Sequence, residues 1–239
     1  MTLFEWKLDG PYRIAFSTRL GGVSEGVFES LNLGILTDDE PERVVENRRR
    51  LCAAVGADPE TATMAWQMHG ARVARADARG IVTAGTVFDR CDGLWTDEPG
   101  RALALLTADC FPVALARRNG EPGLAVLHVG WRGLLGGIAG TGPAALGANV
   151  SAAIGPGIGA CCYTVGEEVA GPFRERFGDE VLVDGRLDLG QATELALRRA
   201  GVEDIERLGG CTACSPDLFF SHRRDRGRTG RQGVIAYIE

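Results

Sequence analysis

The chain has no long hydrophobic run. Its apolar stretches, such as residues 102–106, are far shorter than the roughly 20 residues that a membrane-spanning helix needs. The first seven residues include Glu5 and show no apolar segment followed by a small-residue cleavage site, so they do not match a secretory signal. These features argue against a membrane protein, and we expect a cytoplasmic location.

The sequence also lacks a basic excess, a linker and an internal repeat. Its formal net charge of −6 argues against a general binder of nucleic acid or anionic membranes. With 239 residues, 45% of them hydrophobic, the chain can bury a substantial core, and no Pro/Ser-rich segment divides it. We therefore expect one catalytic domain over residues 1–239, acting on small molecules as a monomer or a homodimer.

Segments typical of strands alternate with segments typical of helices. Short apolar or alternating runs predict strands at residues 12–17, 103–107, 113–116, 124–127, 150–154, 181–183, 205–208 and 234–238. Start and stop signals predict helices at about residues 41–54, 166–177 and 189–200. Turn residues between 116 and 124 predict a hairpin there. This order predicts an α/β or α+β fold, a single layered domain with mixed central β-sheets flanked by helices.

Histidine is scarce, because the chain has only His69, His128 and His222. Cys110 falls between the first two in sequence, and we call His69, Cys110 and His128 the trio. Two imidazoles and one thiolate make a three-ligand zinc site that leaves a fourth position open for water or substrate. The spacing matches no compact zinc finger, so the fold itself must assemble the site. A second interpretation, that these are ordinary polar or core residues, stays open at this point.

Copper is the other metal that suits this ligand set. Two histidines, a cysteine and a weak methionine describe a blue-copper centre, and Met68 adjoins His69. A multicopper oxidase also needs a trinuclear cluster rich in imidazoles, which three histidines cannot supply. The sequence therefore predicts zinc, with copper as the alternative.

Charged residues close in sequence to the trio, or in glycine-rich loops, are candidates for catalysis. Asp109 can act as a general acid or base, orient a ligand, or cap a turn. Arg19 and Arg132 lie in glycine-rich loops, where a guanidinium can bind phosphate or stabilise an oxyanion. Alternatively, Cys110 is a thiol nucleophile, with His128 as its base and Asp109 as the orienting group.

Four further cysteines form two short motifs, Cys161-Cys162 and Cys211-Thr212-Ala213-Cys214. The Cys-x-x-Cys spacing suits redox chemistry or a structural zinc. No thioredoxin-like context surrounds it, so we expect buried free thiols. The arginine-rich residues 219–232 are interpreted as a basic surface loop, with phosphate binding or base stacking as the alternative. His222 in this loop is not expected to be a fourth metal ligand.

Ordered sequence blocks run along nearly the whole chain: Phe16-Ser17-Thr18-Arg19, Gly21-Gly22-Val23-Ser24, Leu31-Asn32-Leu33-Gly34, Asn47-Arg48, Gln67-Met68-His69, Thr107-Ala108-Asp109-Cys110, His128-Val129-Gly130-Trp131-Arg132-Gly133, Ile154-Gly155-Pro156, Cys162-Tyr163, Cys211-Thr212 and Gly230-Arg231-Gln232. Together these blocks resemble the YfiH-type family. Members of that family are described as multicopper polyphenol oxidoreductases or laccase-domain proteins, as purine nucleoside phosphorylases, and as peptidoglycan editing factors.

The resemblance implies that the trio binds zinc. It also implies an enzyme that cleaves adenosine, inosine or methylthioadenosine with phosphate and that deaminates adenosine, with purine nucleosides and phosphate as its partners. Asp109 would move protons during deamination. Arginines would fix phosphate against the ribose carbon, and the candidates are Arg19, Arg48 or Arg132.

Two positions depart from the family pattern. His222 stands where a tyrosine commonly follows the serine, and Cys161-Cys162 is doubled. Two other functions also stay open. One is a Cys110/His128 thiol hydrolase that acts on an amide, as in editing of peptidoglycan precursors, and the other is a copper-dependent, laccase-like polyphenol oxidase.

Overall fold

The computed structural model describes residues 1–83, 85–147 and 149–239. The described residues form thirteen strands, which are β1 Leu3–Glu5, β2 Tyr12–Ser17, β3 Thr63–Met64, β4 Val73–Arg75, β5 Gly93–Thr96, β6 Leu103–Thr107, β7 Phe111–Arg117, β8 Leu124–Val129, β9 Val150–Ile154, β10 Leu182–Val183, β11 Arg186–Leu187, β12 Ile205–Arg207 and β13 Gln232–Ile238. They also form five α-helices, which are α1 Pro41–Val55, α2 Trp131–Leu135, α3 Ile138–Leu146, α4 Glu167–Phe177 and α5 Leu189–Arg199. None of these helices combines the length and the apolar character needed to cross a bilayer.

Most of the strands belong to two mixed sheets. The first sheet has the order β1-β2-β13-β6-β3 and the second the order β12-β9-β7-β8-β5-β4, while β10 and β11 pair separately. Neighbours are antiparallel except β3 with β6, β4 with β5, and β9 with β12, which are parallel. β7 and β8 form the predicted hairpin, with Val113 opposite Leu127. The predicted mixed α/β fold, with several sheets flanked by helices, is confirmed.

The two sheets lie face to face between layers of helices. Along β8, Leu124 and Val126 pack into the core shared with the first sheet, whereas Ala125, Leu127 and Val129 pack against α2 to α5 on the opposite face. Successive side chains of a strand point to opposite faces, so a strand buried on both sides is apolar throughout. On the outer face of the first sheet, α1 completes a third core.

Helix signals in the sequence locate the ends of α1 and α5 closely. Pro41 begins α1, where its fixed φ and missing N–H suit the first helical position. Gly56 follows the helix with a φ of 80°, a left-handed conformation that glycine adopts readily. Before α5, the Asp188 carboxylate accepts a hydrogen bond from Gln191 N at 2.8 Å. The predicted ends at residues 54 and 200 each lie one residue from the observed ends.

The glycine-rich segment after Trp131 carries no helix signal, yet it forms α2 and α3. A β-carbon at Gly142 would lie 2.7 Å from the Leu127 side chain and 2.9 Å from that of Leu115. Glycine therefore lets α3 approach β7 and β8 closely. The burial that results offsets the low helix propensity of glycine, which is why propensity alone misses this helix.

Candidate metal centre

His69, Cys110 and His128 lie together at the boundary between the two sheets. His69 is in the loop that joins β3 of the first sheet to β4 of the second, and Cys110 is in the turn that joins β6 to β7. His128 lies in β8, opposite Pro112 of β7. A nitrogen of each imidazole and the Cys110 Sγ all lie within 4.8 Å of one another. The fold thus brings the trio together at a spacing that one ion can bridge.

Asp92 organises this centre, and the sequence does not single it out. It is 1% exposed, and its Oδ1 accepts hydrogen bonds from His69 N at 2.8 Å and from His128 Nδ1 at 2.9 Å. Its Oδ2 accepts from Met68 N at 3.1 Å and from Gly70 N at 2.7 Å. The bond from Nδ1 orients the His128 ring and leaves Nε2, the nitrogen away from Asp92, as the one that would bind a metal.

Sheet register explains why Asp92 escapes sequence reasoning. It lies 36 residues from His128 and appears in the sequence only as an ordinary Asp-Gly turn step. β5 pairs with β8 so that Gly93 is opposite Leu127, which sets Asp92 beside His128. His128 N also donates to the Asp92 main-chain oxygen at 2.7 Å. Only knowledge of this pairing identifies the carboxylate.

Cys110 and His128 shift each other's pKa in opposite directions. Burial alone raises the pKa of the Cys110 thiol, but the charge of His128 and hydrogen bonds from both imidazoles of the trio lower it to about 6. Burial alone lowers the pKa of His128, but the Cys110 thiolate and the Asp92 carboxylate raise it to about 9. The protein therefore favours a thiolate at neutral pH, the form that binds metals and acts as a nucleophile.

The backbone around the trio adopts uncommon conformations. His69 has a φ of 58° and Asp109 a φ of 89°, which side chains other than glycine rarely adopt and which cost of order 1–3 kcal/mol each. Gly130 leaves room beside them, because a β-carbon there would lie 3.1 Å from Cys110 Sγ and 3.3 Å from His69 Cδ2. The surrounding contacts thus hold a geometry that the local chain does not prefer.

Asp109 is buried next to Cys110, and both of its carboxylate oxygens accept hydrogen bonds. Oδ1 accepts from Thr212 Oγ1 and Oδ2 accepts from Arg223 N, each at 2.7 Å. Ile158 N donates to the Asp109 main-chain oxygen at 2.8 Å. Loops that follow β9 and β12 therefore hold this turn in place. Each carboxylate oxygen keeps a second lone pair for a further bond.

Two of the predicted phosphate-binding arginines, Arg19 and Arg48, donate hydrogen bonds to main-chain carbonyl oxygens of loops. Arg48 on α1 is 6% exposed and donates to the carbonyl oxygens of Leu33 at 3.0 Å and Ile81 at 2.8 Å, and burial lowers its pKa to about 10. Arg19 donates to two carbonyl oxygens at 2.6 and 2.9 Å. Arg19 also lines a cleft of about 270 Å³ that contains Arg228. Its guanidinium therefore has access to a ligand, whereas that of Arg48 is enclosed.

The third predicted arginine, Arg132, is exposed at the start of α2, four residues after His128. It belongs to a set of charges that act on Tyr163. Burial raises the pKa of Tyr163 to about 12, the Cys110 thiolate adds to this rise, and the guanidiniums of Arg223 and Arg132 oppose it. Arg223 Cζ lies 5.1 Å from the centroid of the Tyr163 ring. Because Arg223 N also donates to Asp109 Oδ2, this wall, the aromatic and cationic pair of Tyr163 and Arg223, lies next to the turn that carries Cys110, and only the fold reveals it.

The predicted burial is wrong for the second group of cysteines, although their thiols are free as predicted. Cys161 and Cys214 are exposed, and Cys162 and Cys211 are half-buried. Their four sulfur atoms lie within 4.8 Å of one another, and we call these residues the cysteine cluster. Treating cysteine as a small hydrophobe fails here because both motifs lie in surface loops that the fold brings into contact. His222 is exposed and lies against Gly227, apart from the trio.

Known proteins resemble this chain over almost its whole length. The sequence model of the family described as "Multi-copper polyphenol oxidoreductase laccase" matches residues 13–239. The chain is 41% identical over 244 residues to the purine nucleoside phosphorylase YlmD of Geobacillus stearothermophilus, covering 93% of this chain and 88% of the relative. It is also 41% identical over 232 residues to a purine nucleoside phosphorylase of Deinococcus radiodurans, covering 92% and 87% of the two chains.

A solved structure shows the same fold. The crystal structure of the Bacillus licheniformis hypothetical protein YfiH matches with a TM-score of 0.90 and 33% identity, covering 99% of each chain. The predicted resemblance to YfiH-type proteins is confirmed. Since the family model matches almost the whole chain and relatives above 40% identity span it, this protein belongs to the multi-copper polyphenol oxidoreductase laccase family.

Proposed function

We propose that this protein is a zinc-dependent enzyme that cleaves purine nucleosides with phosphate and also deaminates adenosine. The supporting observation is the convergence of His69, Cys110 and His128, with Asp92 accepting the Nδ1 hydrogen of His128. A carboxylate behind a histidine is the usual support of a metal-binding imidazole. The substrate class is carried over from relatives that bear the name purine nucleoside phosphorylase.

The donor set fits zinc. Two imidazoles and one thiolate complete three of the four positions of a tetrahedral ion. Met68, the candidate fourth ligand of a copper centre, is 52% exposed, and the chain has a single histidine outside the trio. When bound, zinc would supply Lewis-acid chemistry, which polarises a substrate atom or lowers the pKa of water.

Phosphorolysis needs the phosphate and the nucleoside to be held next to each other in a fixed orientation. A phosphate oxygen attacks the ribose C1′ atom while the bond to the purine nitrogen breaks, and the electron pair leaves with the purine. Arg132 would hold the phosphate beside the trio, and Arg19 would provide a second cationic contact from its cleft. Arg48 would have a supporting role, since its guanidinium already donates to the carbonyl oxygens of Leu33 and Ile81.

The wall formed by Tyr163 and Arg223 suits the purine ring. An aromatic face and a guanidinium plane both stack on a heterocycle. In deamination a water oxygen bonds to the purine carbon that carries the amino group, and the bond from that carbon to the amino nitrogen breaks. Asp109 would carry a proton from the water to the departing amino group, which leaves as ammonia. Thr212 and Arg223 N hold its carboxylate in one orientation, so the proton transfer would occur at a fixed position next to Cys110.

The test combines metal analysis with product identification. Zinc-loaded protein is incubated with adenosine, with and without phosphate, and the products are separated by chromatography. We expect adenine and hypoxanthine only when phosphate is present, and inosine as the deamination product when phosphate is absent. Cys110→Ser should abolish all of these products, whereas Cys52→Ala, at a buried cysteine on α1, should retain them. Absence of all of these products from zinc-loaded wild-type protein would refute the proposal.

A thiol hydrolase is the second candidate, and the lowered pKa of Cys110 beside His128 favours it. In that case Cys110 attacks an amide carbonyl, His128 delivers a proton to the leaving amine, and bound metal inhibits. Rapid alkylation of Cys110 in freshly purified protein would support this function. Stoichiometric zinc, with alkylation only after chelation, would exclude it.

A copper-dependent phenol oxidase is the third candidate, and it rests on the family description. It predicts visible absorption by the copper-loaded protein and copper-dependent oxygen uptake with a phenol. A colourless, copper-free preparation that cleaves nucleosides excludes it.

A further inference from the structure

The cysteine cluster joins two surface loops. Cys161 and Cys162 lie in the loop between β9 and α4, and Cys211 and Cys214 in the long loop between β12 and β13. Cys214 Sγ lies 3.4 Å from Cys161 Sγ and 3.3 Å from Cys162 Sγ. All four sulfur atoms are within 4.8 Å of one another. Residues far apart in sequence thus present four thiols to one point.

These distances suit one tetrahedral ion. Zinc–sulfur bonds are about 2.3 Å long, so neighbouring sulfurs of a tetrahedral site are about 3.8 Å apart, and no two can exceed about 4.6 Å. Two of the sulfur pairs lie 3.4 and 3.3 Å apart and every pair lies within 4.8 Å, so small side-chain shifts bring all four sulfurs to the tetrahedral spacing. A cluster with several irons would hold the thiols further apart than a single ion can. Tetrahedral coordination by four sulfurs is otherwise typical of zinc.

The cluster fits a metal better than a disulfide. Cys214 Sγ lies almost equally close to the sulfurs of Cys161 and Cys162, as in a shared metal site, whereas a disulfide would draw it to one partner alone. The Cys211-x-x-Cys214 spacing is that of one half of a structural zinc site. Gly159 N donates to Cys211 Sγ at 3.2 Å, a contact that supports thiolate character at that ligand.

The two loops that the cluster joins also hold Asp109. Thr212, next to Cys211, donates from Oγ1 to Asp109 Oδ1 at 2.7 Å and from N to the Gly157 carbonyl at 3.0 Å. Ile158 N donates to the Asp109 main-chain oxygen. Anything that fastens these loops together therefore fastens the turn that carries Cys110.

We propose that the cysteine cluster is a second metal site, in which Cys161, Cys162, Cys211 and Cys214 bind one zinc ion. This ion has a structural role, because four thiolates leave no open position on a tetrahedral ion. It stabilises the loop pair that supports Asp109, and it is a separate ion from the one proposed for the trio.

The test counts metal in the full chain, purified under reducing conditions without added chelator. We expect two zinc ions per wild-type chain, one in Cys110→Ser, one in Cys214→Ser, and none in the double variant. Cys52→Ala removes a cysteine that belongs to neither site, so this control variant should still bind two zinc ions per chain. Since Cys214→Ser can fail to fold, Cys110→Ser loaded with cobalt provides a second measurement. The spectrum of the bound cobalt should show the intense sulfur-to-cobalt charge-transfer bands of a site with four thiolate ligands, and absence of these bands would overturn the second site.

Each outcome bears on one site. A single zinc in the wild type that is lost in Cys110→Ser would overturn the second site and leave the trio intact. A single zinc that Cys110→Ser retains and Cys214→Ser loses would support the second site and overturn the proposed metal-dependent function. Disulfides among the four cysteines in freshly purified protein, found by mass spectrometry after alkylation, would also overturn the second site.

Discussion

Replacement of Asp92 by asparagine tests the support of the candidate metal centre. The carboxylate accepts four hydrogen bonds, two on each oxygen, and is 1% exposed. Asparagine keeps one oxygen and places an NH₂ group where the other oxygen stood. Whichever way the amide turns, its NH₂ group faces two N–H donors that lose their acceptor. These donors are either Met68 N and Gly70 N or His69 N and His128 Nδ1.

The magnitude follows from the bonds lost. A hydrogen bond to a charged group contributes about 1.5–3 kcal/mol, so losing two lowers the free energy of unfolding by about 3 kcal/mol or more. Typical domains have about 5–15 kcal/mol, so the variant should still fold. The zinc affinity of the trio should fall about 10- to 100-fold, since an outer carboxylate contributes that much to metal binding. Chemical denaturation measures the first quantity and competition with a chelator the second.

A matched control makes this result interpretable. Asp97 is an exposed aspartate paired with Arg75 on the surface, so Asp97→Asn should change stability by less than about 1 kcal/mol and leave zinc affinity unchanged. If Asp92→Asn bound zinc within twofold of the wild type, the assignment of Asp92 as the support of His128 would be wrong. A loss of stability alone, without loss of affinity, would contradict that role as well.

Three further results follow from the same site. Gly133→Ala places a β-carbon 2.7 Å from the Gly70 carbonyl oxygen and should destabilise the protein by about 1–3 kcal/mol. Gly140→Ala places its β-carbon in open space and should stabilise the protein by up to about 1 kcal/mol. Thermal unfolding measures both changes. Zinc affinity of the trio should fall as pH drops below about 9, because zinc must displace the proton of His128, whose pKa is raised to about 9. The fall should steepen below about pH 6, where the Cys110 thiolate, whose pKa is lowered to about 6, is protonated as well. Titration with a metal indicator checks this, and constant affinity from pH 7 to 5 would refute it. Arg132→Ala should raise KM for phosphate about 10-fold or more in steady-state kinetics, with partial recovery in Arg132→Lys.

Local sequence signals predict the elements that local physics determines. The α1 helix has Pro41 and Gly56 at its ends, and the hairpin of β7 and β8 has a turn rich in glycine between apolar runs. Local signals do not predict an element whose formation depends on tertiary contacts. The α3 helix is an example, because the missing side chain of Gly142 lets it pack closely on the sheet. Strands of two or three residues, such as β3, are too short to carry a period at all.

The same division applies to the candidate site. His69, Cys110 and His128 can be selected from the sequence because histidine is scarce and the residues suit one metal. Asp92 cannot, since an aspartate beside glycine is ordinary and its role arises from the pairing of β5 with β8. The cysteine cluster also depends on loops that meet only in the folded chain, so spacing alone gives no measure of how close the two motifs lie.

The position of the trio between the sheets couples metal supply to the survival of the fold. His69 and Cys110 lie on connections that pass from one sheet to the other, so a bound ion would crosslink the two sheets reversibly. An ion that binds only the native state adds about 2.7 kcal/mol of stability when its free concentration is 100 times the dissociation constant. Cells starved of the metal would therefore hold less of this protein, through faster loss of unfolded chains, before any change in its catalytic rate.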